Sequence, residues 1–315
     1  MTRIDVYTRV TERIVTDLEK GVRPWRKPWS VANAGGSITR PLRYNGLPYR
    51  GVNVLLLWGE AMAAGYASPI WMTFKQAGEL GGHIRKGEHG SLVVYADKYV
   101  KRETDDNGDE IEKQIPFMKG YTVFNVEQIE GLPAHYYAKP EPPPPVARIE
   151  RAEAFFAATG AIVKHGGSRA YYSPALDYIG MPPRESFESP ESYCGTLAHE
   201  LTHWTAHPSR LARELGKRFR DNAYAAEELV AEMGAAFLCA DLAITPEVGE
   251  DHAQYLATWL KVLKKDNRAI FTAAAQAQRA VDFLHGLQPT PEPEPHPPGS
   301  PRGRAPARGL AVNGL

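Results

Sequence analysis

His199-Glu200-Leu201-Thr202-His203 sets two histidines four residues apart with an acid between them, and that spacing commits the stretch to helix. Residues four apart on a helix project from one face, so the two imidazoles can converge on a single ion. Glu200 falls at the edge of that face, where a carboxylate holds a water beside a metal and takes its proton. Imidazole and carboxylate donors suit zinc, one Zn2+ per chain. A third ligand must come from a second element, because three donors on one straight helix cannot surround an ion. That argument removes His207. The flanks Leu197, Leu201 and Trp204 give the helix an apolar back, and Ser189-Pro190 marks its start, hydroxyl as cap and proline in the first turn.

The second element is Glu227-Glu228-Leu229-Val230-Ala231-Glu232, continued by the small and apolar residues Met233 to Leu238. Two carboxylates four apart on an otherwise apolar helix are costly unless something positive meets them. Glu228 is therefore expected to join His199 and His203 as metal ligand, and Glu232 to accept a hydrogen bond from a ligating imidazole. Glu227 competes for the ligand role, but its side chain projects about 100° away. The ExxxE pattern resembles the ExxxD element of gluzincin peptidases, with Glu232 where that pattern has Asp. The metzincin pattern fails, since Ala206 and Ser209 stand where its glycine and third histidine belong. An oxyanion stabiliser is expected from among Tyr171, Tyr172, Tyr178 and Tyr224; the sequence does not choose.

The chain has 315 residues, enough for two domains with separate cores. Lys139, Pro140, Glu141 and the four prolines through Pro145 read as a stiff linker over 139–147, between domains spanning 1–138 and 148–287. Residues 288–315, rich in Pro, Gly and Arg, have little to bury and are expected to be disordered. Val6, Val10, Ile14 and Leu18 form one helical stripe, and Val52 to Trp58 reads as a buried helix. Extended runs at Leu92–Ala96 and Tyr121–Val126 flank Asn107-Gly108, a hairpin signal. After the linker, Ile149–Thr159 reads as helix and Ala170–Ser173 and Asp177–Met181 as strands. Pro182-Pro183 suggests an edge position for the second strand. Helices are expected over about 190–206, 222–243, 251–265 and 268–286. The fold class is α+β: a basic N-terminal α+β domain and a zincin-like C-terminal domain of small sheet plus helical bundle. Cys194 and Cys239 read as reduced, buried thiols. No apolar run approaches the roughly 20 residues of a membrane span, and the N-terminus lacks a secretory signal, so cytoplasm is expected.

The net charge of zero conceals an asymmetry. Residues 1–102 carry 16 Lys and Arg against 8 Asp and Glu, and the remainder is correspondingly acidic, as if the basic half faced a polyanion. Aromatic residues and cations alternate there. Trp25, Lys27, Trp29, Tyr44, Tyr49, Arg50, Trp71, Lys75, Arg85 and Lys86 are candidates to stack on bases or meet phosphates of single-stranded DNA. The same aromatics would equally serve a core. Nothing reads as an element that enters a duplex groove.

Three segments then carry a resemblance that covers roughly residues 4–287. Tyr49 to Leu57, Trp71 to Ala77 and Arg85-Lys86-Gly87-Glu88 resemble the N-terminal domain of ArdC-type antirestriction proteins. The pentad at 199–203, Glu228 to Glu232, and the ending from Tyr255-Leu256 to Phe283-Leu284 resemble that family's zincin domain. The resemblance implies single-stranded-DNA binding, a metallopeptidase-like domain acting on an unidentified protein or peptide, and carriage on conjugative plasmids or other mobile elements. Similar N-terminal domains are also found fused to plasmid primases. The alternatives are a DNA-binding protein whose zinc is structural and a DNA-processing enzyme. The latter ranks last for want of a carboxylate cluster suited to two metals.

Overall fold

The computed structural model describes residues 5–25, 39–104, 110–138, 144–214, 222–245 and 253–290. The N-terminal apolar stripe forms helix α1 (Val6–Glu19), capped by Asp5, and buries Val10, Ile14 and Leu18. Helix α2 (Val52–Ala64) is buried along most of its length and ends at Gly65, whose φ of 75° is the left-handed stop that glycine takes without strain. A four-stranded sheet runs in the order β1 (Leu42–Arg43), β2 (Ile70–Met72), β5 (Glu110–Asn125), β4 (Ser91–Thr104). β1 and β2 are parallel and the other pairs antiparallel. The hairpin of β4 and β5 is much longer than its two alternating runs suggest, paired from Ser91–Val123 out to Thr104–Glu110. Its Asn107-Gly108 turn lies outside the described residues. Helix α3 (Phe74–Glu79) and the paired strands β3 (His83–Ile84) and β6 (Ile129–Glu130) sit on a small satellite core around Met72 and Ile129.

Helix α4 (Pro145–Ala158) begins inside the proline run. The sequence assigns 145–147 to the linker, but proline's fixed φ suits a first helical turn, where its missing N–H costs nothing. Residues 139–143 and 291–315 lie outside the described residues. The second sheet has the order β7 (Val163–His165), β9 (Tyr178–Met181), β8 (Tyr171–Ser173). β9 is thus central and not the expected edge. Pro182 and Pro183 follow its last paired residue and remove no ladder donor. Helices α5 (Pro190–Trp204), α6 (Asn222–Leu242), α7 (Ala253–Lys265) and α8 (Ala269–Gly286) match the expected spans to within two residues. Among the described residues no helix is long and apolar enough to cross a membrane. Cys194 and Cys239 are buried and unbridged, and burial pushes the Cys194 thiol up to about 12.

The two halves do not have separate cores. One buried cluster runs from Val10 in α1 to Leu284 in α8. Trp25 meets Trp259 edge-on at 5.9 Å, Tyr7 meets Phe271 at 4.9 Å, and Trp58 lies against Phe237 at 5.9 Å. Arg40 is buried where the halves join. It grips Asp241 of α6 through two hydrogen bonds of 2.9 and 3.0 Å, donates to Gln278 of α8 at 2.9 Å, and lies 4.5 Å over the Phe237 ring. The apolar faces of α1 and α2 decide that the halves fuse.

Arg40→Ala strands Asp241 without its guanidinium and should cost on the order of 3 kcal/mol in urea unfolding. Because tryptophans from both halves share the core, fluorescence and far-UV circular dichroism should report one coincident unfolding transition.

Candidate metal centre

Helix α5 starts as its sequence dictates, with Ser189 Oγ accepting from the Ser192 N–H at 3.1 Å. It then buries Leu197, Leu201 and Trp204. Helix α6 crosses it at Gly234. A Cβ at that position would lie 2.6 Å from Thr202 Cγ2 and 2.7 Å from Thr202 Oγ1, so only glycine permits this approach. The close crossing sets Glu228 opposite the two histidines. His199 Nε2 and His203 Nε2 are 3.2 Å apart, and the Glu228 carboxylate straddles them with oxygens 3.5 and 3.6 Å away. One donor atom from each of the three lies within 4.8 Å of the others.

These separations suit an ion. A tetrahedral zinc with bonds of roughly 2.0–2.1 Å holds its ligand atoms about 3.3 Å apart, close to the values found. The donors are imidazole nitrogens and a carboxylate, and the surroundings favour a cation. Glu200, Glu227, Glu228 and Glu232 are all buried on the two helices, a concentration of acid that needs positive charge nearby.

Part of that charge comes from a contact absent from the sequence-based expectation. His203 Nδ1 meets Glu227 Oε1 at 3.2 Å, and Glu227 in turn accepts from buried Arg213 at 2.8 and 3.0 Å. Arg213 also donates to the Thr202 carbonyl at 2.7 Å and Thr205 Oγ1 at 2.8 Å. With Nδ1–H given to Glu227, the Nε2 lone pair of His203 is left for a metal. From the sequence, Glu232 is expected to orient a ligating imidazole. Glu232 is buried and its charge acts on His199, and Glu227 bonds His203. The same 100° rotation that removes Glu227 from the ligand set carries it to the flank of His203. In sequence Arg213 is one of several cations between His207 and Tyr224, with no spacing that marks it out. Its neighbour Arg210 is likewise internal, bonded to Asp177, the Tyr172 hydroxyl and the Trp204 carbonyl.

Among the four candidate tyrosines, Tyr224 donates its hydroxyl to Glu228. Tyr171 and Tyr178 bond each other at 2.7 Å, and Tyr172 is held by Asp177 at 2.9 Å. Burial works to raise the Glu228 carboxyl, but the His199 hydrogen bond, the charges of His203 and His199 and the Tyr224 hydroxyl outweigh it and hold the group at about 2. Burial works to lower His199, yet the Glu228 hydrogen bond and the charges of Glu200, Glu228 and Glu232 lift it to about 9. In the ion-free protein a proton on His199 therefore stands where a cation would bind.

The candidate DNA contacts divide sharply. Trp25, Tyr49 and Trp71 are buried, so their ring faces belong to the core and not to bases. Pro-Trp and Tyr-Arg neighbourhoods look alike in sequence whether the ring turns in or out. Tyr44, Arg50, Lys75, Arg85 and Lys86 are exposed. Arg50 is paired with Asp282, Lys75 with Glu79 and Arg85 with Glu88. Lys27 and Trp29 lie outside the described residues.

His199 sits above its ordinary 6.5 and Glu228 below its ordinary 4.5. Their pairing thus stabilises the metal-free protein fully only between those values, fading as pH rises through about 9 or falls toward about 2. Metal must displace the His199 proton, so its apparent affinity should climb with pH up to about 9, which competition titration reads directly. Arg213→Gln should weaken metal binding roughly 10- to 100-fold. Gly234→Val should weaken it too, by forcing α5 and α6 apart.

Comparison with known proteins gives this geometry a context. Residues 150–276 match the zincin-like metallopeptidase family, and residues 4–124 match the N-terminal domain of anti-restriction factor ArdC. The chain is 47% identical to the antirestriction ArdC protein from the R388 plasmid in its metal-free crystal structure, with a TM-score of 0.75 over 90% of this chain and 98% of that one. The Mn(II)-bound structure of the R388 protein gives 46% and 0.74 over the same shares. An uncharacterized protein of Sinorhizobium fredii, y4eC, is 43% identical over 91% of this chain and 94% of its own length. A DNA primase TraC of Escherichia coli is 39% identical over 88% of this chain, which spans only 27% of that primase. With both domain families matched in order and a solved relative covered almost end to end, the chain belongs to the ArdC family of antirestriction proteins.

Proposed function

We propose that this antirestriction protein binds single-stranded DNA through its N-terminal half and hydrolyses a peptide bond at a gluzincin-type zinc site in its C-terminal half. The observation that carries the catalytic part is the convergence of His199, His203 and Glu228 within 4.8 Å, with Glu200 buried beside them. A crystallised relative that binds Mn(II) supports a divalent ion here. The choice of zinc, one per chain, rests on two imidazoles and one carboxylate as donors.

A bound zinc supplies Lewis acidity, acidifying water and polarising a carbonyl. The chain's own groups do the rest. Glu200 takes the proton from the attacking water onto its carboxylate and returns it to the leaving amine. Glu227 keeps His203 in the tautomer that presents Nε2, and Arg213 keeps Glu227 in place. Tyr224, once turned from Glu228 toward the substrate, is the hydroxyl best placed to stabilise an oxyanion. The DNA-binding part is supported by the excess of cations in residues 1–102, by exposed Lys75, Arg85 and Lys86, and by the likeness to the ArdC N-terminal domain. Carriage on a mobile element and action in the cytoplasm follow from the same reading.

Metal content by mass spectrometry and binding to a labelled single-stranded oligonucleotide should be measured on wild type, Glu228→Ala and Glu200→Gln. Wild type should hold about one zinc, Glu228→Ala should lose it, Glu200→Gln should keep it, and all three should bind the oligonucleotide. Protection of incoming DNA that survives Glu200→Gln unchanged would reduce the zinc to a structural tie. A wild type that ignores the oligonucleotide would remove the DNA half of the reading.

A further inference from the structure

The β4–β5 hairpin carries an aromatic ladder on one face. Directly opposed residues of an antiparallel pair share a face, which groups Tyr95, Tyr99, Phe117 and Tyr121 with Lys101, Lys113, Lys119, Asp97 and Glu103. The rings form a chain: Tyr121 to Tyr95 at 6.3 Å, Tyr95 to Phe117 at 6.1 Å, and Phe117 to Tyr99 at 6.2 Å. Val93 and Val123, at the root of the same face, are buried. The ladder starts where the core stops, and Tyr95 and Tyr99 are 40% and 50% exposed. Aromatic rings repeated on a solvated ribbon need a reason other than packing.

The charges around the ladder choose the occupant. Lys119 Nζ lies 5.3 Å over the Phe117 ring. With Arg9, Asp5 and Tyr121 it lines a recess of about 410 Å³ at the hairpin root. Both carboxylates on this face are already engaged. Asp97 accepts from the Tyr95 hydroxyl at 2.5 Å and the Lys98 N–H at 2.7 Å, and Glu103 sits between Lys101 and Lys113 at 2.6 and 2.7 Å. Rings spaced about as far apart as the bases of an extended strand, with cations beside them, match single-stranded nucleic acid. A duplex hides the faces of its bases.

We propose that the root half of this hairpin is a stacking platform for single-stranded nucleic acid, with Tyr95, Tyr99 and Phe117 taking bases and Arg9 and Lys119 meeting phosphates. The assignment rests on the DNA-binding reading above and moves its stacking residues from the buried Trp25, Tyr49 and Trp71 to the hairpin.

Fluorescence anisotropy of the full chain with a labelled oligo-dT tests it. Tyr99→Ala and Phe117→Ala should each weaken binding roughly five- to a hundredfold. Tyr99→Phe should bind like wild type, since the ring and not the hydroxyl carries the contact. Lys119→Ala should flatten the dependence of log affinity on log salt by roughly 0.7. Metal content and melting temperature report that the variants are folded. If wild type binds and the alanine variants bind equally well, the platform is elsewhere while the DNA-binding reading stands. If wild type does not bind, both fall. Loss of self-association instead of DNA binding in Tyr99→Ala would make the face a contact between copies and overturn the proposal.

Discussion

The crossing of α5 and α6 at Gly234 is the constraint on which the site depends. Without a Cβ, α6 approaches Thr202 closely enough that Glu228 reaches two imidazoles presented by the other helix. Neither helix could hold an ion alone. His199 and His203 offer two donors from one face, and a third on the same axis would face the wrong way. The metal site is thus a property of a helix pair, held at a spacing that one small residue permits.

Burying four glutamates beside that crossing sets the electrostatic problem that the rest of the site answers. Arg213 and His203 satisfy Glu227, Tyr224 and His199 satisfy Glu228, and the charge of Glu232 adds to the field on His199. An unpaired buried carboxylate is far costlier than a paired one, so the loop carrying Arg213 is bound to the site by charge as well as by its bonds to Thr202 and Thr205. A proton on His199 keeps the arrangement neutral enough to persist without metal. For the same reason, metal binding and pH are coupled.

The shared core ties this site to the basic half. Arg40 joins a loop before β1 to α6, which carries Glu228, and to α8, which packs against α6, and the tryptophans of the first half pack on α6 and α7. A domain border drawn at the proline run separates two family patterns along the chain. It does not separate two independently packed bodies.

Much of this was legible in one dimension because helical periodicity and ligand spacing are local. The four C-terminal helices, the shared face of His199 and His203, the hairpin strands and the caps follow from residues near one another in sequence. What the sequence left open required knowing who meets whom. Glu227 and Glu232 are equally acidic, and the packing of α6 on α5 is what brings Glu227 to His203. Arg210 and Arg213 stand among other cations along the chain, and only the fold brings Asp177 and Glu227 to them. Trp25 and Trp71 differ from Tyr95 and Tyr99 only in which way the backbone turns them, inward to a core or outward on a ribbon. Spacing along one element determined the donors. Burial and pairing between elements decided their partners, because desolvation and hydrogen bonding act across space and leave no period in the sequence.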